Sequence, residues 1–284
     1  KALQSNSTSM SYPAFFHENG LTTSDLPEIA NSSRGFFTQI GRNLSNGIDQ
    51  ATTHFSDYLT RNNGPTQNFF MTPVTPDDIA AVASKIKGKS SFGYDMIPSR
   101  IMKITIPETK YVLSHVINLS LSSGIVPDSL KLARVIPLFK TGDSRLLNNY
   151  RPISLLPCFS KLYEKIVYNK LMKFLIDSDI LYKHQYGFRS KHSTIHPILH
   201  FIKKVTEAND KPTKDTSIGI FLDLSKAFDT ISHEILLRKL QHYGIRGVCN
   251  DWFNSYLSGR FQYTDYNSHK SHSLPVNIGV PQGS

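Results

Sequence analysis

The chain has 284 residues, 39% of them hydrophobic, which is enough for a sizeable core in one large domain or two ordinary ones. The formal net charge is +10 and the pI is near 9.5, a balance that points to a polyanionic partner. Only 19% of residues are charged, so the excess comes from scarce acids, which argues against a histone-like or disordered-tail reading. Two cysteines, Cys158 and Cys249, lie far apart and outside any CxxC pattern, so neither a zinc or redox motif nor a disulfide framework is expected. No apolar run nears the roughly 20 residues that span a bilayer, and no signal-peptide core opens the chain. We expect no membrane partner and a reducing, intracellular setting. The first residue is not Met, and the last residues follow directly on a turn motif, so a fragment is expected.

Residues 1–72 are rich in Ser, Thr and Asn and read as a loosely docked linker with short helices. Their best helical piece is Glu28 to Leu44, with Ile29, Phe36, Phe37, Ile40 and Leu44 as its apolar set, although Gly35 and Gly41 weaken it. A helix starts after Thr75, with Thr at the N-cap, Pro76 at the first position and acids in the first turn. Ile79, Val82 and Ile86 follow at helical spacing. The next loop, Lys87 to Asp95, offers lysines, hydroxyls and glycines that suit phosphate contact. A helix C-cap with dipole-matching lysines is the plainer reading.

A second helix is expected over Glu108–Ser122, with Val112, Val116 and Leu119 on one face and Gly124 past its end. Ala133–Phe139 reads as a strand, and Pro137 argues for an edge or bulged position. The turn Lys140–Asp143 and the apolar piece from Tyr150 complete a hairpin-like finger bearing Lys140 and Arg151. Phe159–Ile176 is a helix with Tyr163, Val167, Leu171 and Phe174 as its stripe. Lys161, Lys165, Lys170 and Lys173 lie largely off that stripe. They read as a solvated face, while the net charge favours a nucleic-acid groove. His192, His196 and His200 are spaced by four, but Pro197 starts a helix that leaves His192 outside, so zinc is not expected.

Ser217 to Thr230, SIGIFLDLSKAFDT, is an apolar strand running into a turn. At strand period Ile218, Ile220, Leu222 and Leu224 form one face, and Asp223 sits on the small-residue face near the strand's end. That carboxylate is placed either to hold a metal or substrate or simply to cap the turn. Asp229 reads as a helix-start acid. A helix over Ser232–Tyr243 follows, capped by Ser232, with Ile235, Leu236, Leu240 and Tyr243 on its buried side. The next helix carries Trp252, Phe253, Tyr256 and Leu257, with Arg260 exposed after it. Leu274–Val280 reads as a strand and Pro281–Ser284 as a turn. Helices interleaved with strands distant in sequence suit an α+β fold.

Ordered motifs from Pro73 to Ser284 carry a resemblance: PVTPDDI, KIKGKSSFGYDMIP, GIVPDSLKLARVIPLFKTGD, NNYRPISLLPCFSKLYEKIVYNKL, HQYGFRSKHST, GIFLDLSKAFDTISHEILLRKL, WFNSYLSGR and GVPQGS. The chain resembles the reverse transcriptases of non-LTR (LINE-like, jockey or CR1 type) retrotransposons. EIANSSRGFFTQIG resembles more weakly the segment joining endonuclease and polymerase in such elements.

The resemblance implies a right-hand polymerase with fingers and partial palm, truncated before the second catalytic palm motif and the thumb. It divides the chain into a linker (1–72), an N-terminal extension (73–119) and a reverse transcriptase domain (120–284). It implies copying of RNA into DNA by two-metal nucleotidyl transfer in the intact parent, with Mg2+ (or Mn2+), dNTPs, an RNA template and a DNA primer or target. By motif match Asp223 would be the catalytic metal ligand, with the backbone carbonyl of Leu224 assisting. Lys140 and Arg151 would contact the triphosphate, Ala227 and Phe228 would lie under the nucleotide with Phe228 as the steric gate, and Gln282 and Gly283 would contact the template–nucleotide pair. Lys87, Lys89 and Gly93 would help hold the template, although Phe92 stands where the family usually has Pro. The parent is expected in nucleus and cytoplasm. The family's later Asp-Asp motif is absent from the chain, so the fragment alone is expected not to polymerise. The alternatives are a maturase, an RNA polymerase (against which Phe228 argues) and a dead or domesticated nucleic-acid-binding remnant.

Overall fold

A computed structural model describes residues 12–13, 15–18, 21–47, 53–59, 67–211 and 216–283. They belong to two compact units, one made of residues up to 170 and from 226 onward, the other of residues 171–225.

The first unit opens with a short antiparallel pair, β1 (Phe16–Glu18) and β2 (Leu21–Thr23), followed by α1 (Leu26–Asn46) and the single turn α2 (Ser56–Leu59). The region expected to dock loosely is anchored here. Ile29, Ala30, Phe37 and Ile40 of α1 are buried with Phe16, Val135, Leu147, Tyr150 and Tyr266. The two glycines that weakened the helix in sequence have opposite surroundings. Gly35 has nothing within 4 Å of where a Cβ would be, whereas a Cβ on Gly41 would overlap the carbonyl oxygen of Asp229. Gly41 is therefore what allows α1 to lie against the turn that holds Asp229.

Helix α3 (Pro76–Lys85) starts as its sequence dictates. Asp78 N–H donates to Thr75 Oγ1 at 3.1 Å and Thr75 N–H donates to Asp78 Oδ2 at 2.9 Å, a reciprocal capping box. Helix α4 runs from Ser99 to Ser123, longer than expected and continuing through Pro107. Its buried face is also different. Met102, Ile106, Ile117 and Leu121 point inward, while Val112, Val116 and Leu119 are exposed. Polar anchors settle that face: Ser114 Oγ donates to Val74 O at 2.7 Å and Trp252 Nε1 donates to Ser120 Oγ at 3.1 Å. Gly124 ends the helix in the left-handed conformation at φ 69°.

Strands β3 (Leu132–Phe139) and β4 (Tyr150–Leu155) form the expected antiparallel hairpin. Pro137 faces Pro152 across it. Lys140 N–H donates to Asn149 O and Ser154 N–H points outward to Gln282 O, so by alternation the two prolines meet where neither N–H is needed. Next come α5 (Cys158–Asp177), which runs into the second unit, and α6 (Ile195–Asn209) within that unit. Helices α7 (His233–His242) and α8 (Val248–Leu257) belong to the first unit, as do β5 (Arg260–Tyr266), β6 (His269–Lys270) and β7 (Leu274–Val276). Ser232 caps α7 as expected, and Ile235, Leu236 and Leu240 are half-buried. The sheet order is β4-β3-β5-β6, with β7 also on β5, and β5 runs parallel to β3. β5 went unrecognised in the sequence, although RFQYTDY carries aromatics two apart. β7 is shorter than expected. A second core joins α3, α4, α5 and α8 through Ile79, Ile117, Leu162 and Trp252.

The second unit departs most from expectation. Residues 216–224 form no strand, and Leu222 is 89% exposed. A strand needs a neighbour for its N–H and C=O groups and cover for its apolar face. Among the described residues nothing pairs with this stretch. Phe221 meets a ring of α6, with Phe201 centred 5.6 Å away. Among the described residues no helix is long and apolar enough to cross a membrane.

Gly35 and Gly41 provide a paired test. Gly35→Ala should raise the unfolding free energy by about 0.5–1 kcal/mol through helix propensity. Gly41→Ala should lower it by about 1–3 kcal/mol through overpacking against Asp229. Chemical denaturation of the two variants beside wild type checks both signs.

Candidate functional site

Three segments remote in sequence meet in the first unit. The first is the free edge of β4, which carries Arg151 beside the turn bearing Lys140. Both side chains are exposed and neither forms an ion pair with a described residue. The second is the turn 226–231, which carries Ala227 and the partly exposed Phe228. The third is the segment 279–283, with Gln282 and Gly283.

The third segment ties the other two together through backbone groups. Val280 N–H donates to Phe228 O at 2.8 Å, and Gly279 N–H donates to Ile231 O at 2.8 Å. On the other side Ser154 N–H of β4 donates to Gln282 O at 2.8 Å. His233 Nε2 lies 2.6 Å from Gly279 O and acts as donor there. Gly279 is required twice: its φ is +82°, and a Cβ would come within 2.9 Å of Asp229 Cα. Gly283, at φ +95°, lies against Ile153.

The charges around this junction are mostly positive. Burial depresses the Lys226 pKa, and the charge of Lys140 adds to the effect while Asp229 opposes it. Lys226 also sits in a left-handed conformation at φ 48°, its Nζ 5.3 Å from the Phe36 ring centre. The sequence reading treated Lys226 as a plain turn residue. Its position between an aromatic and a strand end was the available signal. Asp229 is not a helix-start acid: its N–H donates to Lys226 O and Ser232 caps α7 instead. Burial raises the Asp229 pKa and Lys226 pulls it back. Arg260, expected in solvent, is only 3% exposed. It packs over Tyr256, and its Nη1 donates to Tyr256 O at 2.9 Å.

Asp223 and Leu224 belong to the second unit and are exposed there. Among the described residues no group of three His, Cys, Asp or Glu side chains gathers to hold a metal ion. His184, His192, His196 and His200 make ring contacts with one another and with Tyr186.

The loop after α3 is shaped by packing. Gly93 is buried, and a Cβ there would come within 2.6 Å of Pro157 N. Lys87 and Lys89 remain exposed, while their backbone groups bond Ser99 Oγ. Phe92 lies under the Arg134 guanidinium at 4.6 Å, and Arg134 in turn pairs with Asp265 at 2.9 Å. Phe in place of Pro thus gives the loop a cation–π anchor.

The Asp229 shift has a definite sign. Its pKa is raised in the folded state, so its contribution to stability is present at low pH and lost as pH rises through the carboxylate range. Asp229→Asn should raise the denaturation midpoint at pH 7 and change it little at pH 3. Paired thermal melts at the two pH values check this.

Residues 139–284 match the family model described as Reverse transcriptase (RNA-dependent DNA polymerase). The chain is 29% identical over 224 residues to the RNA-directed DNA polymerase from mobile element jockey of Drosophila melanogaster, covering 75% of this chain and 23% of that protein. It is 29% identical over 260 residues to the probable RNA-directed DNA polymerase from transposon BS of the same organism, covering 85% of this chain and 27% of that one. Against the retrovirus-related Pol polyprotein from type-1 retrotransposable element R2 of Popillia japonica it is 28% identical over 142 residues, covering 50% and 19%. The chain thus spans about a quarter of the length of the first two relatives. The family match covers the hairpin end, the turn 226–231 and the segment 279–283 alike, and the chain belongs to the reverse transcriptase family, among its LINE-like, jockey-type members.

Proposed function

We propose that this chain is the fingers and first part of the palm of a non-LTR retrotransposon polymerase whose parent protein copies RNA into DNA. The observation that carries the reading is the junction of the β4 edge, the turn 226–231 and the segment 279–283. The residues matched to nucleotide binding lie on segments that these backbone hydrogen bonds join, which supports the reading. Arg151 offers a planar fork to two phosphate oxygens, and Lys140 and Lys226 add charge against a triphosphate. Phe228 would be the bulky ring that meets a ribose 2′-hydroxyl, and Gln282 and Gly283 would face the template–nucleotide pair. Lys87 and Lys89 would hold template backbone, with Gly93 setting the loop that carries them.

Reverse transcriptases generally use divalent metal, which activates the attacking oxygen and steadies the leaving group. Asp223 offers one carboxylate, and among the described residues no group of three or more His, Cys, Asp or Glu side chains could hold a metal ion. A two-metal centre needs more than one carboxylate, so for Mg2+ (or Mn2+) Asp223 would need partner ligands from elsewhere in the parent. We assign residues 73–119 to an N-terminal extension and 120–284 to the polymerase domain. The burial of α1 against β5 argues that part of 1–72 packs with the same body. Nucleus and cytoplasm are the compartments such a parent would use.

In the parent protein, Asp223→Asn should abolish synthesis with template binding nearly intact. Phe228→Val should reduce discrimination of dNTP over rNTP. Arg151→Ala should mainly raise the KM for dNTP. Steady-state primer extension measures all three, and an unchanged dNTP/rNTP ratio in Phe228→Val would refute the gate. The isolated 284-residue chain should show no primer extension with Mg2+ and dNTPs; clear incorporation would overturn the reading of an incomplete metal site.

A further inference from the structure

Helix α4 is apolar on two sides. One side is buried through Met102, Ile106, Ile117 and Leu121, and the lysines of the helix are turned back onto α3. Lys103 Nζ donates to Ser84 O at 3.0 Å and to Ile86 O at 2.9 Å, and Lys110 Nζ pairs with Asp77 at 2.9 Å. The other side faces solvent. Ile104, Tyr111, Val112 and Leu119 are 72%, 65%, 65% and 60% exposed, and Ile101 and Val116 are exposed beside them. Lys110 Nζ lies 5.2 Å from the Tyr111 ring centre and leaves that ring open on its outer side. At 3.6 residues per turn these positions fall on one stripe about 27 Å long. A helix with apolar residues on both sides calls for cover on both.

The polar members of this stripe give it a direction. Thr105 uses its hydroxyl inside the helix, donating to Met102 O at 3.0 Å. Glu108 and His115 are exposed. From one end the stripe reads Ile104, Glu108, Tyr111, and from the other Leu119, His115, Val112, with the same spacing of four and then three residues. The face is therefore a mirror of itself about the bond between Tyr111 and Val112, with an acid on one half and an imidazole at the matching place on the other.

We propose that the outer face of α4 docks a second copy of this chain, the two helices packing antiparallel about a two-fold axis at Tyr111 and Val112. A two-fold interface must be complementary to itself, residue i meeting j and j meeting i, and this order of residues meets that condition. Ile104 lies against the partner's Leu119 and Tyr111 against the partner's Val112. Glu108 accepts a hydrogen bond from the partner's His115, and the axis makes that pair twice. The pair also sets the register. Sliding one helix by a turn would bring Glu108 against the partner's Leu119 or the partner's Tyr111, leaving the carboxylate without its donor. A single helix pair is smaller than the roughly 800 Å² per partner of a standard interface, so association is weak, in the micromolar range. The surface shares no residue with the β4 edge, the turn 226–231 or the segment 279–283.

The test is sedimentation equilibrium of the 284-residue chain. Wild type should show a monomer–dimer equilibrium with a dissociation constant of roughly 1–100 µM. Val112→Arg with Leu119→Arg should weaken it about tenfold or more, since each charge would enter an apolar contact. Both side chains are exposed in the monomer, so thermal melts of dilute protein should match wild type. Glu108→Lys should weaken the dimer about fivefold, and adding His115→Glu should restore it to within about twofold by exchanging the pair. Antiparallel packing brings the two copies of position 112 together at the axis and holds the two copies of position 119 about 22 Å apart along it. Val112→Cys should therefore form an intermolecular disulfide on copper-catalysed air oxidation and Leu119→Cys should not; Cys158 and Cys249 are buried. A wild-type chain still monomeric at about 100 µM would overturn the proposal. So would a dimer indifferent to the arginine pair, or crosslinking at 119 without crosslinking at 112. A parent protein that stays monomeric while the chain dimerises would assign the face to another segment of the parent and overturn it as well. The readout is molecular mass, so its failure leaves the polymerase reading standing.

Discussion

The first unit depends on how closely backbones approach around Asp229. Gly41 of α1 and Gly279 both press on the peptide groups of this residue, and neither position has room for a Cβ. That double contact clamps the turn 226–231 between a helix and an extended segment. The N–H groups of Gly279 and Val280 then fix the turn's carbonyls, and Gln282 carries the connection to β4. Each bond is modest by itself, about 0.5–1.5 kcal/mol. Together they join the segments that carry Phe228, Arg151 and Gln282 through main-chain groups. Because the backbone does the holding, the Arg151 side chain stays exposed at the strand edge, where a ligand can meet it.

Electrostatics follow from the same packing. Half-burying Lys226 between Phe36 and the turn costs it solvation, and Lys140 repels it further. Asp229 is the local counter-charge and is itself strained by burial. Elsewhere the fold uses charge structurally. Arg134 is held between Phe92 and Asp265, and Arg260 is enclosed beside Tyr256. Positive groups without such structural duties gather on the hairpin and turn.

Much of this was legible in the chain. Thr75-Pro76-Asp77-Asp78 carries its own cap, and the cap forms. The hairpin turn before Tyr150, the helix of Lys161 and Lys165, and the N-cap Ser232 were readable for the same reason: each is decided by groups a few residues apart. The failures share a cause as well. Val112, Val116 and Leu119 have helical spacing, yet Ser114 and Ser120 turn the other face inward by bonding Val74 and Trp252. Arg260 reads as a surface cation until Tyr256 closes over it. The stretch 217–224 alternates like a strand, but alternation supplies no partner, and its aliphatic residues stay exposed in this structure.

The sequence by itself determined the local elements, the positive balance and the ordered motifs that mark the family, because propensity, capping and charge are properties of neighbours along the chain. Tertiary structure alone decided that α1 belongs to the body, that Gly41 is indispensable to its approach, and that β5 is the strand joining β3 to β7. It also decided which lysines serve packing. Those outcomes depend on which backbones come within a few ångströms of one another, a distance that no single stretch of sequence encodes.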